Sequence, residues 1–301
     1  MPDQLSNETS VDSAEIRRVA PESPMVDVMG GSARWEKKVL DHGFVALVDS
    51  MPRFVPEGHT ADQAIVQAAR VSYGEGTKKV TEDRGLVRYL LRHRHTTPFE
   101  MVEFKFHVAM PIFVARQWIR HRTANVNEYS ARYSIVPDRF YRPTLDNVRK
   151  QSTTNRQGGE ETIDVETAES FLELLEDSEK LYARYLDLTE KGVARELARA
   201  ALPVSVYTEW YWKCDLHNLL HFLSLRMDPH AQQEIRVYAE AMYELIRPIC
   251  PVACEAFEQY RMEGMHLTRL EIEAIRSGEP IATENKREQR EYEDKRARLG
   301  L

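Results

Sequence analysis

The segment FEMVEFKFHVAMP, residues 99–111, restricts the possible folds more than any other part of the chain. Its apolar side chains alternate with polar or charged ones, and the apolar positions are Val102, Phe104, Phe106, Val108 and Met110. A period of two places these side chains on one face of a β-strand and the polar ones on the other. The segment therefore predicts a strand with one buried face. Pro111 then suits the first turn of a helix, IFVARQWIRHR.

Patterns typical of helices and strands flank this segment on both sides. Residues 42–51 and 204–212 have the β-branched and aromatic content of strands. Thr60, Thr81 and Asp215 are expected N-caps, and Gly192 is expected to end the longest helix. Helices are predicted at 60–70, 82–93, 112–122, 164–191, 194–203 and 216–226, and at 230–247, which Asp228-Pro229 opens. This order predicts an α+β fold, a single domain with an antiparallel β-sheet and packed helices.

The two ends of the chain differ in composition from the middle. Residues 1–35 are polar and turn-rich, and we expect a flexible N-terminal arm there. Residues 280–301 are almost all charged, which predicts a C-terminal tail that forms a solvated helix or frays. The folded body is therefore expected at 36–279, a length that can bury a substantial core.

Charge and hydropathy exclude several classes of partner. The net charge of −7 argues against nucleic-acid binding, which depends on neutralising phosphates. No apolar run approaches the roughly 20 residues that span a bilayer, and the N-terminus lacks the apolar region of a secretory signal. The three cysteines, Cys214, Cys250 and Cys254, have no paired spacing and are expected to be buried thiols. These features predict a cytoplasmic protein with no membrane partner.

A basic triplet, Arg120-His121-Arg122, leads into the polar segment NVNEYSARYS. Gln117 and Arg120 are three apart on the preceding predicted helix and share a face. If the segment is extended, Glu128, Ser130 and Arg132 point the same way. Arginine forks suit phosphate, and Glu and Ser suit the polar edge of a sugar or base. The array indicates nucleotide binding, with a solvent-facing polar loop as the alternative.

Histidines form two further clusters. In HRHTTPFE, residues 93–100, His93 and His95 could bind a metal, but histidines are also favourable at a helix C-terminus. In DLHNLLHFLSLR, residues 215–226, His217 and His221 share a helix face as in an HExxH metal site, but Asn218 stands where the general base belongs. Two packed or ligand-contacting histidines are the preferred interpretation. Neither a GxGxxG dinucleotide motif after a strand nor a GxxxxGK[ST] or GxSxG motif is present.

The triplet followed by seven residues and Ser130 resembles the RHR-x7-S signature of the flavin-dependent thymidylate synthase family. Further blocks resemble the family in the same order, namely HTTPFE, PIFVARQW, NEYSARYS, ARAALP, HFLSLR and HAQQEI. The resemblance covers most of residues 40–257. The resemblance implies that 36–279 is a catalytic domain of that family's fold, which binds FAD and dUMP.

The resemblance also implies a reaction and an assembly. FAD, reduced by NADPH, would supply a hydride, and methylenetetrahydrofolate a one-carbon unit, to convert dUMP to dTMP. Family members are homotetramers whose sites lie between subunits. None of the cysteines lies in the array and Ser130 has no visible base, so we expect no covalent bond between enzyme and pyrimidine.

Individual roles follow from the resemblance. Arg226 is expected to be catalytic, because a guanidinium there favours ionisation of the uracil N3. His95 is a possible further site residue, and no metal ligand is implied. The residues implied to bind dUMP are Gln117, Arg120, Glu128, Ser130, Arg132, Arg199 and Arg226. The residues implied to contact FAD are Thr97, Arg120, His121, Arg122, Glu128, Asp215, His217 and His221.

Two other function classes account for parts of the sequence. A metal-dependent hydrolase of a phosphorylated small molecule would use His217, His221 and the basic loop. A nucleic-acid-binding module would use both Arg-His-Arg triplets of the chain, 92–94 and 120–122, although few aromatic residues interleave with them.

Overall fold

The computed structural model describes residues 16–18, 25–27, 33–71, 83–152 and 159–301. Six strands form its central sheet: β2 Met25–Asp27, β3 Ala33–Val39, β4 Gly43–Met51, β6 Glu103–Pro111, β7 Asn125–Glu128 and β10 Tyr207–Asp215. Their order is β2-β3-β4-β6-β10-β7, and every pairing is antiparallel. Two small antiparallel pairs lie outside this sheet, β1 Ile16–Arg18 with β5 Phe54–Pro56, and β8 Arg149–Gln151 with β9 Gly159–Thr162.

Strand β6 confirms the prediction from the alternating segment and lies in the middle of the sheet. Phe106 is opposite Leu47 of β4 and Trp212 of β10. The side chains of Phe104, Phe106, Val108 and Met110 are fully buried, as their shared face requires. Ala109, on the other face, is buried beside Phe44 and Ala46. One end of the strand is therefore covered on both faces.

The described residues include eleven α-helices. The first six are α1 Asp62–Val71, α2 Asp83–Arg92, α3 Thr97–Glu100, α4 Ile112–Trp118, α5 Val165–Glu190 and α6 Arg195–Ala198. The others are α7 Leu216–Arg226, α8 Gln233–Ile246, α9 Pro251–Phe257, α10 Arg269–Ser277 and α11 Lys286–Leu299. Short 3₁₀ turns lie at Leu145–Asn147 and Arg199–Ala201, and a π-helical turn at Glu258–Met262 continues α9. The α+β class is confirmed.

An aromatic cluster joins the sheet to its helical layer. Trp118, the last residue of α4, is fully buried and stacks on Phe222 of α7 with ring centroids 4.8 Å apart. Its ring also lies edge-on to Trp210 and Trp212 of β10, at 5.6 Å from each. Such pairs add about 0.5–1.5 kcal/mol each to the area they bury. The cluster fixes the end of α4, and hence the start of the basic triplet, against α7.

Helix starts in this layer are held by buried or half-buried carboxylates. Asp215 accepts a 2.9 Å hydrogen bond from the Asn218 amide and is the N-cap of α7, as predicted. Asp62 is buried and accepts 3.0 Å bonds from the amides of Val252 and Ala253, so it caps α9 from a different helix. Thr60 is not the N-cap expected: α1 begins at Asp62, and the Thr60 hydroxyl donates to that carboxylate. Thr81 lies outside the described residues.

Several expected boundaries differ from those observed. Pro111 precedes α4 as its N-cap, with ψ of 146°, instead of lying in its first turn. The strand expected at 204–212 runs instead from Tyr207 to Asp215, because the carbonyls of Val204 and Val206 accept hydrogen bonds from the first two amides of α4. Helix α8 begins only at Gln233, because Asp228 organises a turn by accepting from the amides of His230 and Ala231.

The described residues of the N-terminal and C-terminal segments form strands and a helix, respectively. Within the expected arm, β1 pairs with β5 and β2 pairs with β3, and Trp35 is part of the core. The described parts of 1–35 are therefore strands. In the charged tail, α11 packs through the buried Tyr292, and Lys295 donates to Glu271 of α10 at 2.7 Å.

Helix α5 has the bounds that its amphipathic pattern predicts, with Asp164 as N-cap. Its buried side chains are Ala168, Tyr182 and Tyr185, whereas Phe171, Leu174, Leu181 and Leu188 are exposed. Only part of its apolar stripe is therefore covered within one chain. Among the residues described, no helix combines the length and the apolar character needed to cross a bilayer.

Candidate functional site

The ends of α4 and α7 bring His121 and Arg226 together. Arg226 Nε donates a 3.0 Å hydrogen bond to His121 Nε2. The proton of the neutral ring therefore lies on Nδ1. Burial, together with the charges of Arg226 and His221, lowers the pKa of His121 to about 4. At neutral pH the imidazole is an uncharged acceptor that orients a guanidinium without neutralising it.

Aromatic side chains of α7 pack against His121 and hold the His121–Arg226 pair in place. The His121 ring lies edge-on to Phe222, with centroids 4.9 Å apart, and 6.1 Å from the His221 ring. Phe222 itself is held in the aromatic cluster under Trp118. Arg226 is half-buried, and burial lowers its pKa, although a guanidinium remains charged. The triplet thus divides: His121 points to α7, while Arg120 and Arg122 are exposed.

The predicted polar array starts with Glu128 at the end of β7, an edge strand of the sheet. The carboxylate of Glu128 accepts a 2.8 Å bond from the Thr208 hydroxyl on β10. The chain then turns, because the carbonyl of Ser130 accepts from the amides of Tyr133 and Ser134. Ser130 Oγ lies 3.4 Å from the amide nitrogen of Arg132. Glu128, Ser130 and Arg132 therefore do not continue along one strand, contrary to the extended arrangement considered from the sequence.

Two other residues of the predicted nucleotide site are Gln117 and Arg199. Gln117, on α4, donates from Nε2 to Gln232 at 3.3 Å, and its buried Oε1 has no hydrogen-bond partner among the described residues. That oxygen can accept from a ligand. Arg199 begins the 3₁₀ turn after α6, is exposed, and donates to the carbonyl of Glu196 at 3.3 Å.

A cavity of about 290 Å³ lies between α7 and the ends of α2, α3 and α9. Its polar wall contains His95, Thr96, His217, His221 and Ser224. Its apolar floor is Leu91, Phe99, Leu220 and Phe257. Thr97, the first residue of α3, is next in the sequence after Thr96 of this wall. An apolar floor with a polar rim is the usual character of a site for an organic ligand.

The structure separates the predicted residues into two groups. His95, His217 and His221 line one cavity, and His221 is next to the His121–Arg226 pair. The second group is Glu128, Ser130, Arg132 and Arg199, and within the described part of the chain no hydrogen bond, ion pair or ring contact links them to Arg226. The Asp215 carboxylate accepts two hydrogen bonds from Asn218, one from its backbone amide and one from its side-chain Nδ2.

Metal and cysteine chemistry have little support in this arrangement. The described residues contain no group of three or more His, Cys, Asp or Glu side chains that could hold a metal ion. All three cysteines are buried, as predicted. Burial raises the pKa of each of these thiols, so none is disposed to act as a thiolate nucleophile.

Sequence patterns did not indicate two residues of the cavity wall, Arg94 and Arg261. Arg94 follows the helix predicted at 82–93, and the motifs around it assign it no role in binding FAD or dUMP. Arg261 lies in the π-helical turn after α9, where the sequence carries no recognisable motif. Their positive charge is the one signal that the sequence offers.

Comparison with known proteins gives concordant matches over most of the chain. Residues 48–252 match the family model described as "Thymidylate synthase complementing protein". A protein named "Flavin-dependent thymidylate synthase" from Dictyostelium discoideum is 65% identical over 295 residues, which cover 98% of this chain and 97% of that protein. One of the same name from Gluconobacter oxydans (strain 621H) is 52% identical over 289 residues, 92% of this chain and 93% of that protein.

A solved structure matches the fold. It is described as a UMP/dUMP methylase PolB from Streptomyces cacaoi bound with 5-Br UMP. The TM-score is 0.65 at 35% sequence identity, and the match covers 74% of this chain and 97% of that chain. None of these matches is to a hydrolase, so the hydrolase alternative has no support from them.

Proposed function

Because the chain belongs to the family of flavin-dependent thymidylate synthases, we propose that it converts dUMP to dTMP by reductive methylation. The proposed cofactor is FAD, and the co-substrates are NADPH and methylenetetrahydrofolate. The observation that carries the proposal is the His121–Arg226 pair beside the histidine-lined cavity. The reaction belongs in the cytoplasm.

Arg226 is proposed to stabilise negative charge on the pyrimidine. A guanidinium near the uracil N3 favours the deprotonated ring, which is the more nucleophilic form. His121 holds Arg226 Nε while remaining uncharged, so the positive charge of Arg226 is still available to the substrate. A carboxylate in place of His121 would neutralise that charge.

Exposed arginines are proposed to bind the phosphate of dUMP. Arg120, Arg132 and Arg199 are exposed and have no carboxylate partner among the described residues. Their guanidinium forks suit bidentate contact with a phosphate. The polar base and sugar contacts are assigned to Glu128, Ser130 and the free Oε1 of Gln117.

The flavin is proposed to use the cavity and its surroundings. When bound, it carries a hydride from NADPH to the one-carbon unit on the pyrimidine. The apolar floor suits a flat aromatic ring system, and the imidazoles and hydroxyls of the rim suit its polar edge. The residues assigned to it are Thr97, Arg120, His121, Arg122, Glu128, Asp215, His217 and His221, with His95 as a ring that can stack on flavin or pyrimidine.

No enzyme nucleophile is proposed to attack the pyrimidine. The cysteines are buried in apolar surroundings. No His, Asp or Glu side chain contacts Ser130 Oγ within the described residues, so its hydroxyl has no base to activate it.

A homotetramer with shared sites is proposed to complete the arrangement. Every residue of β7 is exposed, and β7 pairs only with β10 within the described chain. Arg120, Arg122 and Arg132 are exposed as well. Residues from another subunit would enclose them and join the two groups of site residues.

The absorption spectrum of the purified protein tests the proposal. We expect the visible bands of an oxidised flavin after addition of FAD, and a spectral change when dUMP is added. The proposal would be overturned if the protein binds no FAD and forms no dTMP when dUMP, FAD, NADPH and methylenetetrahydrofolate are supplied together.

A further inference from the structure

Helix α2 ends in a backbone conformation that arginine rarely adopts. Arg94 has a φ of +61°, in the left-handed region. The His95 amide donates to the carbonyl of Leu90, and the Arg94 amide donates to that of Leu91. These two bonds define a Schellman ending, in which the left-handed position is usually glycine. An arginine is thus present where its Cβ is unfavourable, and such sites often have a functional reason.

A second arginine faces the same cavity from an unusual turn. Arg261 lies in the π-helical turn Glu258–Met262, and both Arg261 and Arg94 line the cavity. Interruptions of this kind in α-helices frequently occur at functional sites. Partial burial and the nearby charge of Arg94 lower the pKa of Arg261, which places the two charges close together.

The other arginines along this helix interface have partners. Arg84 and Arg88 on α2 both bind Glu255 of α9, and Arg92 lies over the Tyr260 ring. In contrast, neither Arg94 nor Arg261 has a side-chain hydrogen bond or ion pair with any residue that the structure describes. The arginines between α2 and α9 are therefore ion-paired away from the cavity, and the two that line the cavity are not.

The cavity wall is positively charged without a balancing carboxylate. No Asp or Glu is among the residues that line it, whereas two arginines and three histidines are. Two like charges that share a cavity repel each other unless an anion lies between them. Guanidinium pairs with serine or threonine hydroxyls nearby, here Ser224 and Thr96, suit the oxygens of a phosphate.

We propose that Arg94 and Arg261 form a phosphate-binding subsite for a nucleotide cofactor. The identity of that cofactor rests on the proposed function, but the phosphate chemistry does not. Two sources fit: the pyrophosphate of FAD, and the 2′-phosphate of NADPH. Both present the dense negative charge that two guanidiniums bind.

Titration calorimetry with inorganic pyrophosphate tests the subsite on the full chain. Excess dUMP is included, so that the arginines of the proposed substrate site are occupied. We expect Arg94→Gly and Arg261→Gln each to weaken pyrophosphate binding by about tenfold or more. Arg92→Gln removes the same charge two residues away, outside the cavity, and is expected to bind within about twofold of wild type.

Arg94→Gly is informative because it relieves the left-handed strain. We expect its melting temperature to equal or exceed that of wild type, so lost binding is not caused by misfolding. If Arg94→Gly and Arg261→Gln both bind pyrophosphate as tightly as wild type, the subsite is wrong. This result does not depend on whether the protein forms dTMP, so failure of the proposed function is seen separately.

Cofactor measurements on the same variants identify the source of the phosphate. A weaker Kd for FAD assigns the subsite to the flavin pyrophosphate. A higher KM for NADPH with an unchanged KM for NADH assigns it to the 2′-phosphate. If pyrophosphate binding weakens in the two variants but FAD affinity and both KM values are unchanged, the subsite does not serve a nucleotide cofactor and the proposal is overturned.

Discussion

The neutral state of His121 leads to a prediction about stability and pH. In the folded protein the pKa of His121 is about 4, below its ordinary 6.5, because of burial first and then the charges of Arg226 and His221. In the unfolded chain the ring binds a proton near its ordinary value. Between these two values the unfolded state therefore binds more protons. The contribution of His121 is present above the unfolded pKa and is lost as the pH falls through the folded one.

The size of the effect follows from the same difference. A full depression from 6.5 to about 4 corresponds to about 3 kcal/mol. Because the ring is only partly shielded from solvent, we expect about 1–2 kcal/mol to be lost between about pH 7.5 and about pH 4.5. This is a large fraction of the stability of a typical domain.

The loss of stability that His121 causes can be measured by urea unfolding of wild type and His121→Gln at equal protein concentration. Glutamine does not titrate, and its side-chain oxygen can still accept from Arg226. We expect the free energy of unfolding of wild type to fall by about 1–2 kcal/mol more than that of the variant over this pH range. All other titrating groups are shared, so they cancel in the difference. If the two proteins lose stability in parallel, the depressed pKa of His121 is refuted.

Three further variants test other parts of the structure. Asp62→Ala leaves two amides of α9, one of them buried, without an acceptor, and we expect it to lower the free energy of unfolding in urea by about 2 kcal/mol. Asp177→Ala, which removes an exposed pair with Lys180, is its control and is expected to cost under about 0.5 kcal/mol; equal losses would contradict the cap. Trp118→Ala empties the centre of the aromatic cluster and should cost about 3–5 kcal/mol in the same assay, whereas a loss below about 1 kcal/mol would show that the cluster is not tightly packed. Ser130→Ala is expected to keep measurable dTMP formation, and detection by mass spectrometry of a Ser130–dUMP adduct in wild type during turnover would contradict this.

The fold was predictable where a single period dominated the sequence. The alternation of residues 102–110 predicts β6 because each buried position is apolar and each neighbour is polar or small. Strand β3 was missed, because Lys37 lies between Trp35 and Val39 on the inward side and breaks the apolar pattern. Its place in the sheet depends on pairing with β4, which is a contact between segments and leaves no local signal.

The candidate site was predictable as a set of residues but not as an arrangement. The sequence motifs identify His121 and Arg226, but the hydrogen bond between them joins positions 105 residues apart. Residue spacing left the segment around Ser130 open between an extended arrangement and a loop, because the two backbone hydrogen bonds of its turn and the bond from Arg195 of α6 to the Tyr133 carbonyl leave no local signal. Arg94 and Arg261 were missed because a left-handed φ and a π-helical turn are backbone features that residue spacing does not indicate.

The most direct test of the central claim measures dTMP formation and FAD binding by Arg226→Ala beside wild type. We expect the variant to retain FAD, and to lose dTMP formation and dUMP-dependent reoxidation of the reduced flavin by about a hundredfold or more. Arg116→Ala, an exposed arginine of α4 outside the site, is expected to behave as wild type. A variant at Arg226 that loses flavin but keeps normal dUMP affinity, or that forms dTMP at the wild-type rate, would contradict the role assigned to this guanidinium.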